Sequence, residues 1–262
     1  MLLTDFVRAF HTHCPPATAM EGDRLGLLVQ SGRLTVERMM VCLDVTMAII
    51  DEVRSKNVDT ILTFHPLIFR PLTSIRSDDR VGACVESAIR HGIAIVSAHT
   101  NVDAHPRGTN AVFAQRMGWS VESVLVPDPV HHGHGMGTVC AIEPTSMTAV
   151  IDKVVRTCGS PVRWNEGSKD MVTKVAIVCG SGSSFLADAR RCGAEVFITA
   201  DVRYHTFLEA QGDIAIIDPG HFEMEQFVPH AIRDIVVSDV LGGRDDVDVL
   251  VTEVSTNPVR YR

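Results

Sequence analysis

Short runs of β-branched and aliphatic residues alternate along this chain with amphipathic stretches of about ten residues. This alternation constrains the fold more than any other feature. Each apolar run must enter a sheet, and each amphipathic stretch must cover a face of that sheet. We therefore predict an α/β fold made of βαβ units, with mostly parallel or mixed sheets flanked by helices.

The predicted elements fall into two halves, 1–126 and 127–262. Strands are predicted over 25–29, 38–44, 58–63, 93–97, 174–178, 195–199, 214–217 and 247–254, and helices over 3–12, 47–56, 80–91, 110–117, 147–158, 202–210 and from His221 onward. The break at Pro127-Asp128-Pro129 and the histidine-rich loop after it mark the predicted boundary. No long linker separates the halves, so we expect them to pack closely.

Composition narrows the class of protein. The net charge of -8 argues against a nucleic-acid partner, because binding to phosphate backbones depends on Lys and Arg. Seven scattered cysteines, an odd number, favour a reducing compartment over a disulfide framework. No apolar run reaches the roughly 18 residues that span a bilayer, and the N-terminus lacks a signal-peptide pattern. We expect a cytoplasmic protein with no membrane partner.

Metal-competent side chains follow four of the predicted strands. They are His65, then His99 with Asp103, then Asp201, then His221. In open α/β sheets, functional groups lie on loops beyond the carboxyl ends of the strands. One histidine after a strand is usually a structural residue, but four such strand ends favour a shared site.

His221 and Glu225 form the most informative pair. Their i, i+4 spacing at the start of a helix places both side chains on one face, about 5–6 Å apart at Cβ. Imidazole and carboxylate together suit Zn, Fe or Mn. A surface contact between the two side chains is the alternative, although Gly220 before them permits a close backbone approach.

Other residues at the strand ends keep two interpretations each. His65 beside Pro66 could bind a metal or be a buried histidine that donates to a carbonyl group. Asp103 could be a ligand or could cap a helix. His99 could act directly or could orient a ligand.

Two loops are similarly open to interpretation. The segment 180–184, Gly-Ser-Gly-Ser-Ser, could cradle a phosphate with its N–H groups or form a tight structural turn. It is not a P-loop, because it lacks the Gly-Lys-Ser/Thr ending. The cluster of His131, His132 and His134 could be a metal tract or a solvated surface loop.

Three segments, taken together, resemble the signatures of one family. They are TFHPLIFRPL at 63–72, HTNVDA at 99–104 and GHFEME at 220–225, supported by segments at 180–182, 201–205 and 256–258. In this order they resemble the Nif-three-like family of dinuclear metal-centre proteins, often named GTP cyclohydrolase I type 2 homologues. The resemblance implies two related α/β halves with a metal site between them, no inserted middle domain and a homo-oligomer of six subunits.

The resemblance also implies a ligand set. His65 and Asp103 would bind one metal, His221 would bind the other, and Glu225 would bridge them. The family's first signature usually reads His-His-Pro, whereas this chain has Phe64 at the first position. Because an imidazole is missing there, we expect one firmly bound divalent metal (Zn, Fe or Mn) and a second that is weak or absent.

These residues lead to a hypothesis of metal-dependent hydrolysis. A bound ion with an open coordination position would lower the pKa of water, and the substrate would be a nucleotide or another phosphate-containing small molecule. Glu223, His99 or His205 could transfer protons. Cyclohydrolase activity itself rests on the resemblance alone. The alternatives are a non-catalytic scaffold that binds metal or protein partners, and a structural metal that clamps the fold.

Overall fold

The computed structural model describes residues 1–262. The strands are β1 Gly26–Val29, β2 Arg38–Cys42, β3 Thr60–Thr63, β4 Ala94–Ser97, β5 Ser120–Pro127, β6 Gly135–Ser146, β7 Arg163–Trp164, β8 Met171–Ile177, β9 Val196–Ile198, β10 Ala215–Asp218 and β11 Asp248–Val251. The helices are α1 Leu3–His13, α2 Met47–Ser55, α3 Arg80–Arg90, α4 Thr100–Asp103, α5 Thr109–Arg116, α6 Met147–Cys158, α7 Leu186–Arg191, α8 Tyr204–Ala210, α9 His221–Glu225 and α10 Val228–Ile235. Short 3₁₀ turns at Pro16–Thr18 and Ser183–Phe185 and a π turn at Val236–Val240 complete the chain.

The first compact unit contains Met1–Val102 and Val228–Pro258. Its sheet has the order β1-β4-β3-β2-β11, in which only β1 runs antiparallel to its neighbour. Every residue of β3 and β4 is buried. Strands of this kind are covered on both faces, which is why they read as continuous apolar runs in the sequence.

Side-chain caps fix where two helices of this unit begin. Thr46 accepts the backbone N–H of Ile49 at the start of α2, and Asp79 accepts that of Gly82 at the start of α3. Both helices place apolar residues in one core cluster with residues of β2, β3 and β4. The caps satisfy N–H groups that a helix leaves unpaired at its first turn.

The second compact unit contains Asp103–Phe227 and Val259–Arg262. Its sheet has the order β5-β6-β8-β9-β10-β7. The central strands β8, β9 and β10 are parallel, whereas β5, β6 and β7 pair antiparallel with their neighbours. Along β8, Val175 and Ile177 join one core cluster and Ala176 joins another. Successive side chains point to opposite faces, so both faces of this sheet are covered.

The α/β fold with two mixed sheets flanked by helices confirms the predicted fold class. The strand boundaries within βαβ units agree with the sequence pattern to within a few residues. The helices do not include one that is both long enough and apolar enough to cross a membrane. All seven cysteines are free thiols, and six of them are buried.

The hairpin of β5 and β6 is the main difference from the sequence prediction. Pro127 pairs with Gly135, so the histidine-rich loop is the turn of a hairpin inside the second unit, where the sequence suggested a boundary between halves. The first unit is also discontinuous along the chain, because β11 pairs with β2. The compact units therefore divide the chain differently from 1–126 and 127–262.

Gly135 gives a test of this hairpin. Its φ is +147°, and a Cβ there would overlap the carbonyl oxygen of Val126 on the partner strand. We expect Gly135→Ala to lower the free energy of unfolding by about 3 kcal/mol, because the backbone oxygen cannot move aside. Gly133→Ala is the matched control, since Gly133 also has positive φ but has open space around it. Urea denaturation that ranks the two variants equally would contradict the hairpin geometry.

Candidate metal centre

In the first unit, His65 is held by a carboxylate from the neighbouring strand end. Its backbone N–H donates to the carbonyl of Leu43 at 2.8 Å, and its Nδ1 lies 3.0 Å from Oδ1 of Asp44. Thr256 donates its hydroxyl to the other oxygen of Asp44 at 3.2 Å. When a carboxylate engages Nδ1 of a histidine, it sets the ring's orientation and leaves Nε2 for a metal.

His99 lies beside His65 and has the same kind of support. The ring centroids of the two histidines are 5.6 Å apart, and Nδ1 of His99 lies 2.7 Å from Oδ1 of Asp23. Phe64 is fully buried and meets the His99 ring edge-on, with the centroids 5.4 Å apart. The phenyl ring therefore packs against both imidazoles and supplies no ligand atom.

Asp23 is a strongly hydrogen-bonded carboxylate. It accepts bonds from Nδ1 of His99, from the backbone N–H and hydroxyl of Thr100, and from the backbone N–H of Arg24. Burial opposes ionisation, but the hydrogen bonds from His99 and Thr100 outweigh it and lower the pKa of Asp23 to about 2. Asp23 therefore remains ionised and keeps the His99 ring in place.

In the second unit, α9 presents His221 and Glu225 on one face, as their spacing predicts. Nε2 of His221 lies 3.0 Å from Oε2 of Glu225, and its Nδ1 lies 2.7 Å from Oδ2 of Asp201. Asp201 adopts φ +55°, a conformation that aspartate tolerates better than most residues. The strand-end residue Asp201 therefore orients the imidazole of His221.

Gly180 lets the loop after β8 approach this pair. Its φ is +67°, and a Cβ there would collide with Oε1 of Glu225 and lie 3.3 Å from Cε1 of His221. The N–H of Gly182 donates inward to the Thr199 hydroxyl at 2.9 Å. The hydroxyl of Thr199 in turn donates to the Gly180 carbonyl. These contacts match the tight-turn interpretation of the segment 180–184, since the Gly182 N–H is already committed within the protein.

Asp103 belongs to the same unit, and the side chain of Asn110 links it to Cys179. The amide of Asn110 donates to the backbone carbonyl of Asp103 at 3.0 Å and accepts the N–H of Cys179 at 2.8 Å. Burial, then the negative charges of Glu225 and Asp103, raise the pKa of Cys179 well above that of an ordinary thiol. Cys179 thus remains a neutral thiol, and two carboxylates lie close enough to influence it.

Asp218 supports the candidate site and was not predicted from the sequence. Its buried carboxylate accepts the N–H of Val202 and the N–H of Gly220, each at 3.0 Å, and pairs with Arg163. Val202 follows Asp201, and Gly220 precedes His221. The Asp218 carboxylate therefore holds both the loop that carries His221 and the loop that carries Asp201. Its position as the last residue of a strand was the only available signal.

The remaining predicted residues have other neighbours. Glu223 is buried and bonds to the Tyr261 hydroxyl. Residues two apart on a helix do not share a face, so Glu223 points away from His221. Burial, and then the charge of Glu223, raises the pKa of Tyr261 to about 12. His205 is exposed on α8, with its ring against Tyr204.

His65 of the first unit, and His221 and Glu225 of the second, are candidate metal ligands. Two ligand atoms that each lie about 2.1 Å from a tetrahedral ion are about 3.4 Å apart, and the 3.0 Å between Nε2 of His221 and Oε2 of Glu225 is close to that separation. Both imidazoles have a carboxylate on Nδ1. The residues therefore suit Zn, Fe or Mn, which accept mixed nitrogen and oxygen ligands.

Comparison with known proteins identifies the family. The model of Duf34/NIF3 (NGG1p interacting factor 3) matches residues 1–258. The chain belongs to the NIF3 family. A Streptococcus pneumoniae protein named GTP cyclohydrolase 1 type 2 homolog is 30% identical over 271 residues, covering 100% of both chains. A Lactococcus lactis protein of the same name is 29% identical and covers 98% of both.

Solved structures of other NIF3-like proteins share the fold. A Staphylococcus aureus hypothetical protein superimposes with a TM-score of 0.91 at 24% identity, covering 100% of this chain and 99% of that one. A Bacillus cereus protein related to NIF3 gives a TM-score of 0.90 at 22% identity with the same coverage. The resemblance expected from the three sequence segments is thus confirmed at the level of family and fold.

Gly180→Ala tests how closely the loop approaches the His221–Glu225 pair. We expect it to lower the free energy of unfolding by about 3 kcal/mol, because the new methyl group would displace a buried carboxylate. Gly193→Ala is the matched control, since Gly193 has φ +77° and nothing within 4 Å of a Cβ. Chemical denaturation would separate the two effects. Equal losses would show that backbone strain alone, and not the close approach, determines the need for glycine.

Asp23 should make the free energy of unfolding depend on pH below about pH 4. Its pKa is lowered on folding from 3.8 to about 2, so its ionised form stabilises the fold fully above about pH 4 and progressively less as the pH falls through 2. Asp23→Asn should therefore be less stable than wild type at neutral pH, with a difference that shrinks below pH 4. Asp245→Asn, at an exposed site, is the control. Urea denaturation should be measured from pH 2 to 7. A stability difference between wild type and Asp23→Asn that stays constant over this range would contradict the prediction.

Proposed function

We propose that this NIF3-family chain binds a divalent metal ion through His65, Asp103, His221 and Glu225 and acts as a metal-dependent hydrolase. The observation that carries the proposal is the paired support of the two imidazoles, His65 by Asp44 and His221 by Asp201. Histidines that bind metals use this arrangement, because it fixes the tautomer that presents Nε2 to the ion.

The charges of the second unit support the same proposal. Asp103 and Glu225 both influence Cys179, and the Glu225 side chain is only 4% exposed. A buried carboxylate such as that of Glu225 is costly unless a positive charge balances it. A divalent cation would supply that balance, and an imidazole that already approaches Glu225 would complete its ligands. We propose Zn, Fe or Mn as the metal.

His99 is the residue that the geometry favours for proton transfer. Its ring lies beside that of His65, and Asp23 holds its Nδ1, so its Nε2 can accept or release a proton without the ring turning away. Glu223 and His205, the other two predicted candidates, contact Tyr261 and Tyr204. When bound, a divalent ion supplies Lewis acidity that activates water for hydrolysis.

The substrate class comes from the relatives. The S. pneumoniae and L. lactis proteins are named GTP cyclohydrolase 1 type 2 homologs, which supports a nucleotide or another phosphate-containing small molecule. The resemblance also supports a homo-oligomer of six subunits, which sedimentation would test. Phe64, where the family usually has a ligand, supports one firmly bound metal and a second that binds weakly or not at all.

Metal titration combined with a substrate screen tests the function. Chelator-treated protein should bind one tight equivalent of Zn²⁺ or Mn²⁺, and two tight equivalents would overturn the single-metal expectation. Asp44→Asn and Asp201→Asn should weaken metal binding by about 10–100-fold. Asp245→Asn, which lies elsewhere on the surface, should bind metal as the wild type does.

The hydrolase assay should use GTP, other nucleotides and simple phosphate esters on metal-loaded protein. The double variant His65→Ala, Glu225→Ala should lose metal-dependent turnover while remaining folded by circular dichroism. If wild type and double variant are equally active, or if neither hydrolyses any substrate in the screen, the hydrolase proposal fails. If wild type and double variant are both folded and inactive, and both bind the same protein partners, the scaffold alternative is favoured.

A further inference from the structure

A cavity lies in the second unit, lined by residues that take no part in the candidate metal centre. It has a volume of about 440 Å³ and is lined by the residues at the start of β5, by β6 near Ile142 and by Lys153 of α6. Cavities that hold small molecules fall in the range of about 300–1,000 Å³. The cavity is therefore large enough for a small metabolite.

An irregularity in β6 shapes the cavity wall. Ala141 pairs with Lys174 of β8, whereas Thr145 pairs with Val172, so three residues of β6 oppose one residue of β8. On its other side, β6 loses its partner beyond Ala141, because β5 begins at Ser120 opposite that residue. The peptide groups of residues 142–144 consequently lie outside both ladders. Bulges of this kind are enriched beside binding sites, where they redirect side chains.

The cavity also carries one charge of each sign. The Lys153 ammonium lies 5.6 Å from the centre of the Trp119 ring, and Glu143 lies on the wall formed by β6. The two charged groups make no ion pair with each other, and neither forms an ion pair with another residue of the chain. Trp119 and Ile142 supply the apolar surface and pack against the core. The wall thus combines a cation, an anion and an aromatic face.

We propose that this cavity binds a zwitterionic small molecule of the α-amino acid class with an apolar or aromatic side chain. Its carboxylate would meet the Lys153 ammonium, and its ammonium would meet the Glu143 carboxylate. Its side chain would lie against Trp119 and Ile142. A ligand with both charges satisfies both groups at once, whereas a simple anion or cation leaves one of them without a counter-charge.

The chain has only two tryptophans, which gives a direct probe. Trp164 lies on β7, outside the cavity, so Trp164→Phe leaves Trp119 as the sole tryptophan, which excitation at long wavelength selects over tyrosine. We expect L-phenylalanine to produce a saturable change in Trp119 emission. Phenylpropionate, which lacks the ammonium, and phenethylamine, which lacks the carboxylate, should each bind at least about tenfold more weakly. This assay needs no metal and does not depend on the hydrolase proposal.

Variants in the Trp164→Phe background assign the contacts. Lys153→Met should weaken binding of phenylalanine about tenfold, and Glu143→Gln should abolish the preference for phenylalanine over phenylpropionate. Lys169→Met, at an exposed site, should change neither. The proposal fails if no probe gives a saturable response at millimolar concentration. It also fails if phenylpropionate binds as tightly as phenylalanine, or if Lys153→Met leaves phenylalanine binding unchanged.

Discussion

The candidate metal centre depends on carboxylates that hold the Nδ1 atoms of its histidines. Asp44 holds His65, Asp23 holds His99, and Asp201 holds His221, at distances of 2.7 to 3.0 Å. An imidazole without such a partner can rotate and exchange tautomers, and it then presents a proton or a lone pair without selectivity. The paired carboxylate removes this freedom, so that Nε2 keeps one role.

These carboxylates are themselves positioned by the sheets and by further hydrogen bonds. Asp44 follows the buried strand β2 and accepts a bond from Thr256, and Asp218 at the end of β10 ties down the loops that carry Asp201 and His221. Side chains supported in this way lose little conformational entropy when they bind a ligand. Gly180 contributes by the absence of a side chain, which leaves room for Glu225.

The two candidate binding regions of the second unit differ in their chemistry. Around His221 and Glu225, a buried carboxylate and an imidazole suit a compact ion of high charge. Around Trp119, a bulged strand leaves peptide groups outside both ladders, beside an aromatic face and a pair of separated charges. That second arrangement suits an extended organic molecule. The parallel strands position the region around His221 and Glu225, and the irregular antiparallel edge of the same sheet forms the region around Trp119.

Much of the fold was accessible from sequence because buried parallel strands leave a clear pattern. The apolar runs of β3 and β4 and the amphipathic helices between strands predicted the βαβ order. The hairpin of β5 and β6 was not predicted, because register shifts at residues 121–123 and 141–145 disrupt the alternation of apolar and polar residues. The first four residues of β5 are also exposed. The pairing of β11 with β2 was not predicted, because the two strands are far apart in the chain.

For the site, the sequence alone determined the residue types and the pair on one helix. The i, i+4 spacing of His221 and Glu225 fixes their shared face in any α-helix, and the strand-end positions of His65 and Asp201 follow from the apolar pattern. Only the tertiary structure decided which carboxylate supports which histidine, since Asp23 and His99 are 76 residues apart. It also decided that Glu223 turns toward Tyr261. Spacing along one helix is local geometry, whereas these contacts arise only when distant strand ends meet at the edge of a sheet.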